Sequence, residues 1–188
     1  MQLMSAFLNG QLLIAMPQMD DERFQHTVVL ICSHDADHAM GIVINKLHEK
    51  LSLADVAEQI GMGTPRFHAD HNIYNGGPME TSRGIVVHSA EHILPDTTII
   101  NNDMAMTSNI KVLSEITNGV GPDEFIITLG HASWTAGQLE QELMDNLWLT
   151  MPYESGLIFD QDTSAIWGAC FNRLGISMVH MSGTAGHA

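Results

Sequence analysis

Two apolar runs in the first quarter of the chain constrain its fold most: residues 26–33 (HTVVLICS) and 39–45 (AMGIVIN), joined by the polar stretch 34–38 (HDADH). β-Branched side chains lose rotamer freedom in a helix and pack well on a pleated surface. A nearly continuous apolar run of this length reads as a strand covered on both faces. The pair with its short polar link predicts a hairpin.

Other segments extend the pattern. Residues 12–16, stopped by Pro17, read as an earlier strand, and 73–74, 84–89, 98–101, 124–129 and 157–159 as later ones. Ser52, with Asp55 three residues on, opens a helix carrying Leu53, Val56, Ala57 and Ile60 on one face before Gly61. A second helix is expected over about 107–117, burying Ile110, Leu113 and Ile116. Thr135 and Gln138 make a capping-box pattern ahead of Leu139, Leu143 and Leu147, and a last helix over about 163–174 aligns Trp167, Cys170, Phe171 and Leu174. Strands interleaved with helices, hairpins among them, predict an α/β chain: a mixed sheet with helices packed on it, the 188 residues forming one domain.

Charge narrows the partners. Seven Lys and Arg stand against 22 Asp and Glu, a net charge of −15, and protonating all 11 histidines would leave the chain negative. Nucleic-acid affinity comes largely from basic residues that neutralise phosphates. Here Arg23, Lys46, Lys50, Arg66, Arg83, Lys111 and Arg173 are scattered, which argues against direct nucleic-acid binding. The two cysteines form no CxxC and suit a reducing compartment. Residues 1–5 lack a basic and then apolar leader, and no apolar stretch approaches about 20 residues, so a cytoplasmic protein with no membrane partner is expected.

Three groups of residues invite chemistry. Gly130, His131, Ala132, Ser133 and Trp134 fall between an expected strand and a helix capped by Thr135. Such a helix start is an anion site, or simply a β–α turn. The spacing is not G-x-S-x-G, so a Ser133–His131 nucleophile–base pair is the weaker reading. The second group is Gly76, Gly77 and Pro78 with Arg83, a turn or a binding loop in which the guanidinium forks onto a carboxylate or phosphate. The third is the histidine–aspartate clusters His34/Asp35/Asp37/His38 and His68/Asp70/His71. They have the ligand types of a transition-metal site without the HExxH arrangement, and otherwise read as solvated turns. Cys32 and Cys170 sit in apolar segments and read as small buried hydrophobes.

Several stretches, in order along the chain, resemble the AlgH/YqgE family of bacterial proteins. They are 8–17 (LNGQLLIAMP), 39–45 (AMGIVIN), Gly76-Gly77-Pro78 leading to Arg83-Gly84, Gly137-Gln138-Leu139-Glu140, Asn146-Leu147-Trp148-Leu149 and the terminal Ala185-Gly186-His187-Ala188. Relative to the family pattern, His38 and Ser133 stand where glycine is usual. The resemblance implies a compact α/β fold with a mixed sheet and a role in transcriptional regulation, and it supplies no catalytic residues and no cofactor.

The expectation that follows is a non-enzymatic binding or regulatory protein with no metal. Gly76, Gly77, Pro78 and Arg83 would converge with Gly130, His131, Ser133, Trp134 and Thr135 on an anionic small ligand or the acidic group of a protein partner. The alternatives are a regulator that binds DNA directly, and a hydrolase or metalloenzyme built on His131 and Ser133 or on the histidine–aspartate clusters.

Overall fold

A computed structural model of the chain describes residues 7–154, 156–159 and 162–177. Residues 1–5 and the terminal 185–188, both used above, lie outside the described residues. The element order is β1 (Gln11–Ala15), β2 (Val28–His34), β3 (His38–Val43), β4 (Leu47–Ser52), α1 (Leu53–Gln59), β5 (Asn72–Asn75), β6 (Met79–Ser89), β7 (Thr98–Ile99), β8 (Met104–Thr107), α2 (Ile110–Thr117), β9 (Phe125–Thr135), α3 (Gln138–Met144), β10 (Trp148–Pro152) and α4 (Thr163–Arg173).

The strands form one mixed sheet in the order β10-β1-β2-β3-β9-β6-β8-β7, with β4 and β5 as a branch. Every pairing is antiparallel except β5 with β9. The expected β2–β3 hairpin forms, with Leu30 opposite Ile42. Successive residues serve opposite faces, as the period of two requires. Leu12, Ile14, Leu30, Ile42, Ile85 and Val87 pack under Ile166, Cys170 and Phe171 of α4. Leu13, Val29 and Ile31 pack with Trp134, Trp148 and Leu139 of α3, and Val86 and Ile127 with Leu53 of α1 and Val112 and Ile116 of α2. Both faces of the central strands are therefore covered, which is why their sequences run apolar without alternation.

The branch occurs on β9. Along one edge β9 pairs first with β5 (Ile127 to Leu129) and then with β3 (Ala132 to Thr135), while its other edge carries β6. The exchange falls at Gly130, whose φ of 77° is a left-handed conformation costly to any residue with a Cβ. The chain leaving β5 crosses there: Gly76 N–H donates to the Leu129 carbonyl, and Val43 N–H to the Gly76 carbonyl. Backbone lies directly on backbone. A Cβ at Gly76 would stand 2.4 Å from the Gly130 carbonyl oxygen, and one at Gly77 would stand 2.3 Å from the His131 carbonyl carbon.

Several boundaries differ from the sequence reading. β9 continues through residues 130–135, so the expected β–α turn there is strand. Thr135 is not a helix cap: α3 begins after Gly137, which makes no side-chain cap, and only the return half of the capping box exists, Thr135 N–H donating to Gln138 Oε1 at 3.1 Å. Residues 104–107 pair as β8, so α2 starts at Ile110 behind its Asn109 cap, and Ile110 is 57% exposed rather than buried. Residues 157–159 form a turn that nonetheless buries Leu157 and Ile158. β4 and β10 carried no strand signal. The Ser52–Asp55 capping box of α1 forms as read.

The glycine crossing predicts a contrast. Gly77→Ala and Gly130→Ala should each lower the unfolding free energy by about 2 kcal/mol or more, since backbone atoms cannot yield. Gly84→Ala, where a Cβ meets nothing within 4 Å, should stay within roughly 0.5 kcal/mol of wild type in urea titration.

Candidate functional site

Just past the glycine crossing, β6 leaves the ladder. Met79 pairs with His131 and Gly84 with Leu129, so residues 80–83 face the single residue Gly130. A bulge of this kind re-aims side chains. Within it Glu80 adopts φ 43°, a conformation uncommon for a residue with a side chain. Its carboxylate is thereby turned back toward β9.

One oxygen, Glu80 Oε2, receives two donors: His131 Nε2 at 2.8 Å and Arg83 Nη1 at 3.0 Å. His131 is buried, while the Glu80 and Arg83 side chains are about half exposed. The second ring nitrogen of His131 faces the Ala132 carbonyl at 3.3 Å. The hydrogen bond from His131, and after it that from Arg83, holds the Glu80 carboxyl below the ordinary glutamate range. Arg83 and His131, singled out separately from the sequence, thus meet through a carboxylate that sequence reasoning did not select. The Glu80/Arg83 spacing of three residues was its one legible sign, while His131 lies 51 positions away.

The remaining expected site residues divide. Gly76 and Gly77 are buried at the backbone crossing, and Pro78, which follows them, is half-buried. Ser133 is exposed on the β3-paired end of β9, opposite Met40, and both ring nitrogens of His131 face other partners. Trp134 is buried: its Nε1 donates to Glu142 Oε2 at 2.9 Å, and Trp148 Nε1 donates to the same oxygen at 2.8 Å. Thr135 registers opposite His38. Of the nine expected residues, Gly76, Gly77, Pro78, Gly130, Arg83 and His131 lie at the crossing and the bulge beside it, while Ser133, Trp134 and Thr135 belong to the other end of β9, toward α3.

Of the histidine–aspartate clusters, the first separates and the second stays together on an aromatic ring. Leu8 N–H donates to His34 Nδ1 at 3.0 Å, which leaves Nε2 to donate to Glu140 at 2.8 Å. His38 instead turns to Asp35 at 3.3 Å. His68 and His71 pack on the ring of Phe125. Among the described residues no three His, Cys, Asp or Glu side chains gather as metal ligands. Burial pushes the Cys32 thiol up to about 12 and the Cys170 thiol to about 11. A thiol in that range is a poor nucleophile at neutral pH.

With this geometry in place, comparison with known proteins is decisive on kinship. A family model described as AlgH-like matches residues 12–179. The chain belongs to the AlgH-like family. A UPF0301 protein of Rhodospirillum rubrum is 40% identical over 188 residues, spanning 100% of this chain and 98% of that one. Another from Pseudomonas fluorescens is 41% identical over 185 residues, covering 97% of each. The solution structure of the AlgH protein from Pseudomonas aeruginosa superposes on all of this chain with a TM-score of 0.81 at 39% identity. A Corynebacterium diphtheriae protein shares the fold at a TM-score of 0.71 and 22% identity over 88% of this AlgH-like chain. In the described residues of this family member no helix is long and apolar enough to cross a membrane.

Two measurements follow. Glu142→Ala leaves two indole N–H groups without their acceptor and should cost about 2–4 kcal/mol of stability, read by urea unfolding. The Glu80 carboxyl, followed by NMR, should titrate below free glutamate and move upward in His131→Asn and in Arg83→Ala. Because folding depresses this group, its contribution to stability is present above the unfolded-state value and is lost as pH falls through the folded-state value.

Proposed function

We propose that this AlgH-like protein is a non-enzymatic binding protein. It recognises the acidic group of a small molecule or partner at Arg83 and exerts any regulatory effect through that partner. The observation that carries the reading is the bulge in which Glu80, held at φ 43°, places its carboxylate against both Arg83 and His131. A carboxylate already occupies a place prepared for one. Exposed ion pairs are weak, so an incoming acid can exchange with Glu80 at Arg83. The guanidinium also borders a hollow of about 260 Å³ lined by Asp96, Thr98, Ser108 and Asn109.

The chain's electrostatics favour this reading over direct contact with DNA. Among the described residues, four of the seven basic side chains are bound to the protein's own carboxylates: Arg23 to Asp21, Arg83 to Glu80, Lys111 to Glu115 and Arg173 to Glu154. A −15 surface repels phosphates globally, and one charge-assisted contact supports only weak, roughly millimolar to high-micromolar, recognition of a simple anion.

NMR titration of wild type, Glu80→Gln and Arg83→Ala with succinate and with inorganic phosphate tests the proposal. Removing the competing carboxylate should tighten anion binding several-fold, and removing the guanidinium should abolish it. Identical responses from all three proteins would overturn the reading.

A further inference from the structure

Beside the bulge, the sheet carries a groove of about 450 Å³ between α1 and α2. That volume is within the range of small-molecule pockets, roughly 300–1,000 Å³. Its floor is Gly84 and Val86 of β6 with their register partners Leu129 and Ile127 of β9. Val56 of α1 and Ile60 at its C-cap rise on one side, and Ile110 and Leu113 of α2 on the other. Protein interiors are close-packed, yet a Cβ on Gly84 would touch nothing within 4 Å. At the mouth, Ile60 and Ile110 are left 42% and 57% exposed.

The chemistry of the lining is selective. The chain holds 22 acidic residues, but among the described residues lining this groove there is no Asp, Glu, Lys, Arg or His. Two of the polar lining residues are engaged with the protein itself: Thr107 Oγ1 accepts from Asn109 N–H, and the Asn109 side chain accepts from Lys111 N–H and donates to Asp96. With no cation in its lining, the groove offers no counter-charge for the phosphates of a nucleotide. The two side walls that face each other across Gly84, Val56 and Ile60 against Ile110 and Leu113, are aliphatic. Neutral hydroxyl and amide side chains from Gln59, Thr81, Ser82 and Ser108 complete the lining.

Three of the seven basic residues lie around this neutral trough. Arg66 and Lys111 line a hollow that shares Ile110 with it, and Arg83, together with Asp96, lines one that shares Thr107, Ser108 and Asn109. Lys111 is tied to Glu115 at 3.7 Å and Arg83 to Glu80 at 3.0 Å.

We infer that the groove binds the hydrocarbon chain of a small amphipathic acid, the tail lying over Gly84 between Ile60 and Ile110 and the carboxylate reaching Arg83. This rests on the proposed role of Arg83 for the head group and adds the class of molecule that carries it. Burial of the tail is the main driving force, because each methylene removed from water contributes favourably in proportion to its area. The single carboxylate exchanges with Glu80, so the chain's overall negative charge is opposed only where a cation already stands.

The test uses the full chain with dodecanoate, dodecanol and dodecyltrimethylammonium, each below its micellar concentration, displacing the fluorescent probe 8-anilinonaphthalene-1-sulfonate. Wild type should bind dodecanoate best and the cationic amphiphile least. Gly84→Leu fills the floor at a residue whose backbone is extended and unstrained. It should weaken dodecanoate and dodecanol alike by roughly tenfold or more, with its unfolding temperature unchanged or raised. Arg83→Ala should bring dodecanoate down to the level of dodecanol and leave dodecanol as in wild type. Undiminished binding of all three amphiphiles by a folded Gly84→Leu protein would overturn the groove. Equal wild-type binding of acid and alcohol, lost in Gly84→Leu, would sustain the groove and overturn the role of Arg83.

Discussion

The crossing of two backbones at Gly76–Gly77 and Gly130 is the contact on which the rest of the structure depends. It lets β9 exchange β5 for β3 along one edge without losing the ladder, since Gly76 supplies hydrogen bonds to both neighbours. No side chain fits between the strands there. The branch then sets where each face of the sheet must be covered: α3 lies over one half of a face, α1 and α2 over the other half, and α4 over the reverse side. Opposite the same junction β6 bulges over residues 80–83, and the candidate site is built from that departure.

Acidity organises the polar structure. Carboxylates repeatedly act as acceptors that gather donors from distant segments. Glu80 takes His131 and Arg83, Glu142 takes two tryptophans, Glu140 takes His34, and Glu115 takes His92 and Lys111. With so few cations in the chain, imidazole and indole N–H groups serve where arginine or lysine would in a balanced protein. The groove between α1 and α2 stands apart from this pattern because its lining carries no charge.

Much of the fold was legible wherever local rules act alone. The apolar runs of β2 and β3, the Ser52–Asp55 cap of α1 and the apolar stripe of α4 each follow from periodicity or from a cap a few residues long. The reading failed where pairing overrides propensity. Gly130 looks like the end of a strand, yet it is a left-handed residue inside one because Met79 of β6 at His131, and β3 from Ala132 onward, hold the chain extended beyond it. Ile110 looks like core by spacing, yet the sheet beneath offers Gly84 instead of a partner, and it remains in water.

The candidate site divides in the same way. Arg83, His131 and the glycines were visible as residue types that carry charge or backbone freedom, and membership of the AlgH-like family was visible in their order along the chain. Their common partner Glu80 was not, because what selects it is a backbone conformation imposed by a sheet register, and the two donors it joins are 48 residues apart in sequence, Arg83 to His131. By itself the sequence determined the hydrophobic pattern, the acid excess and the places where glycine is required, all properties of near neighbours. Only the tertiary structure decided which distant donors meet one carboxylate and where the core is left unfilled, since those depend on how strands far apart in the chain come into register.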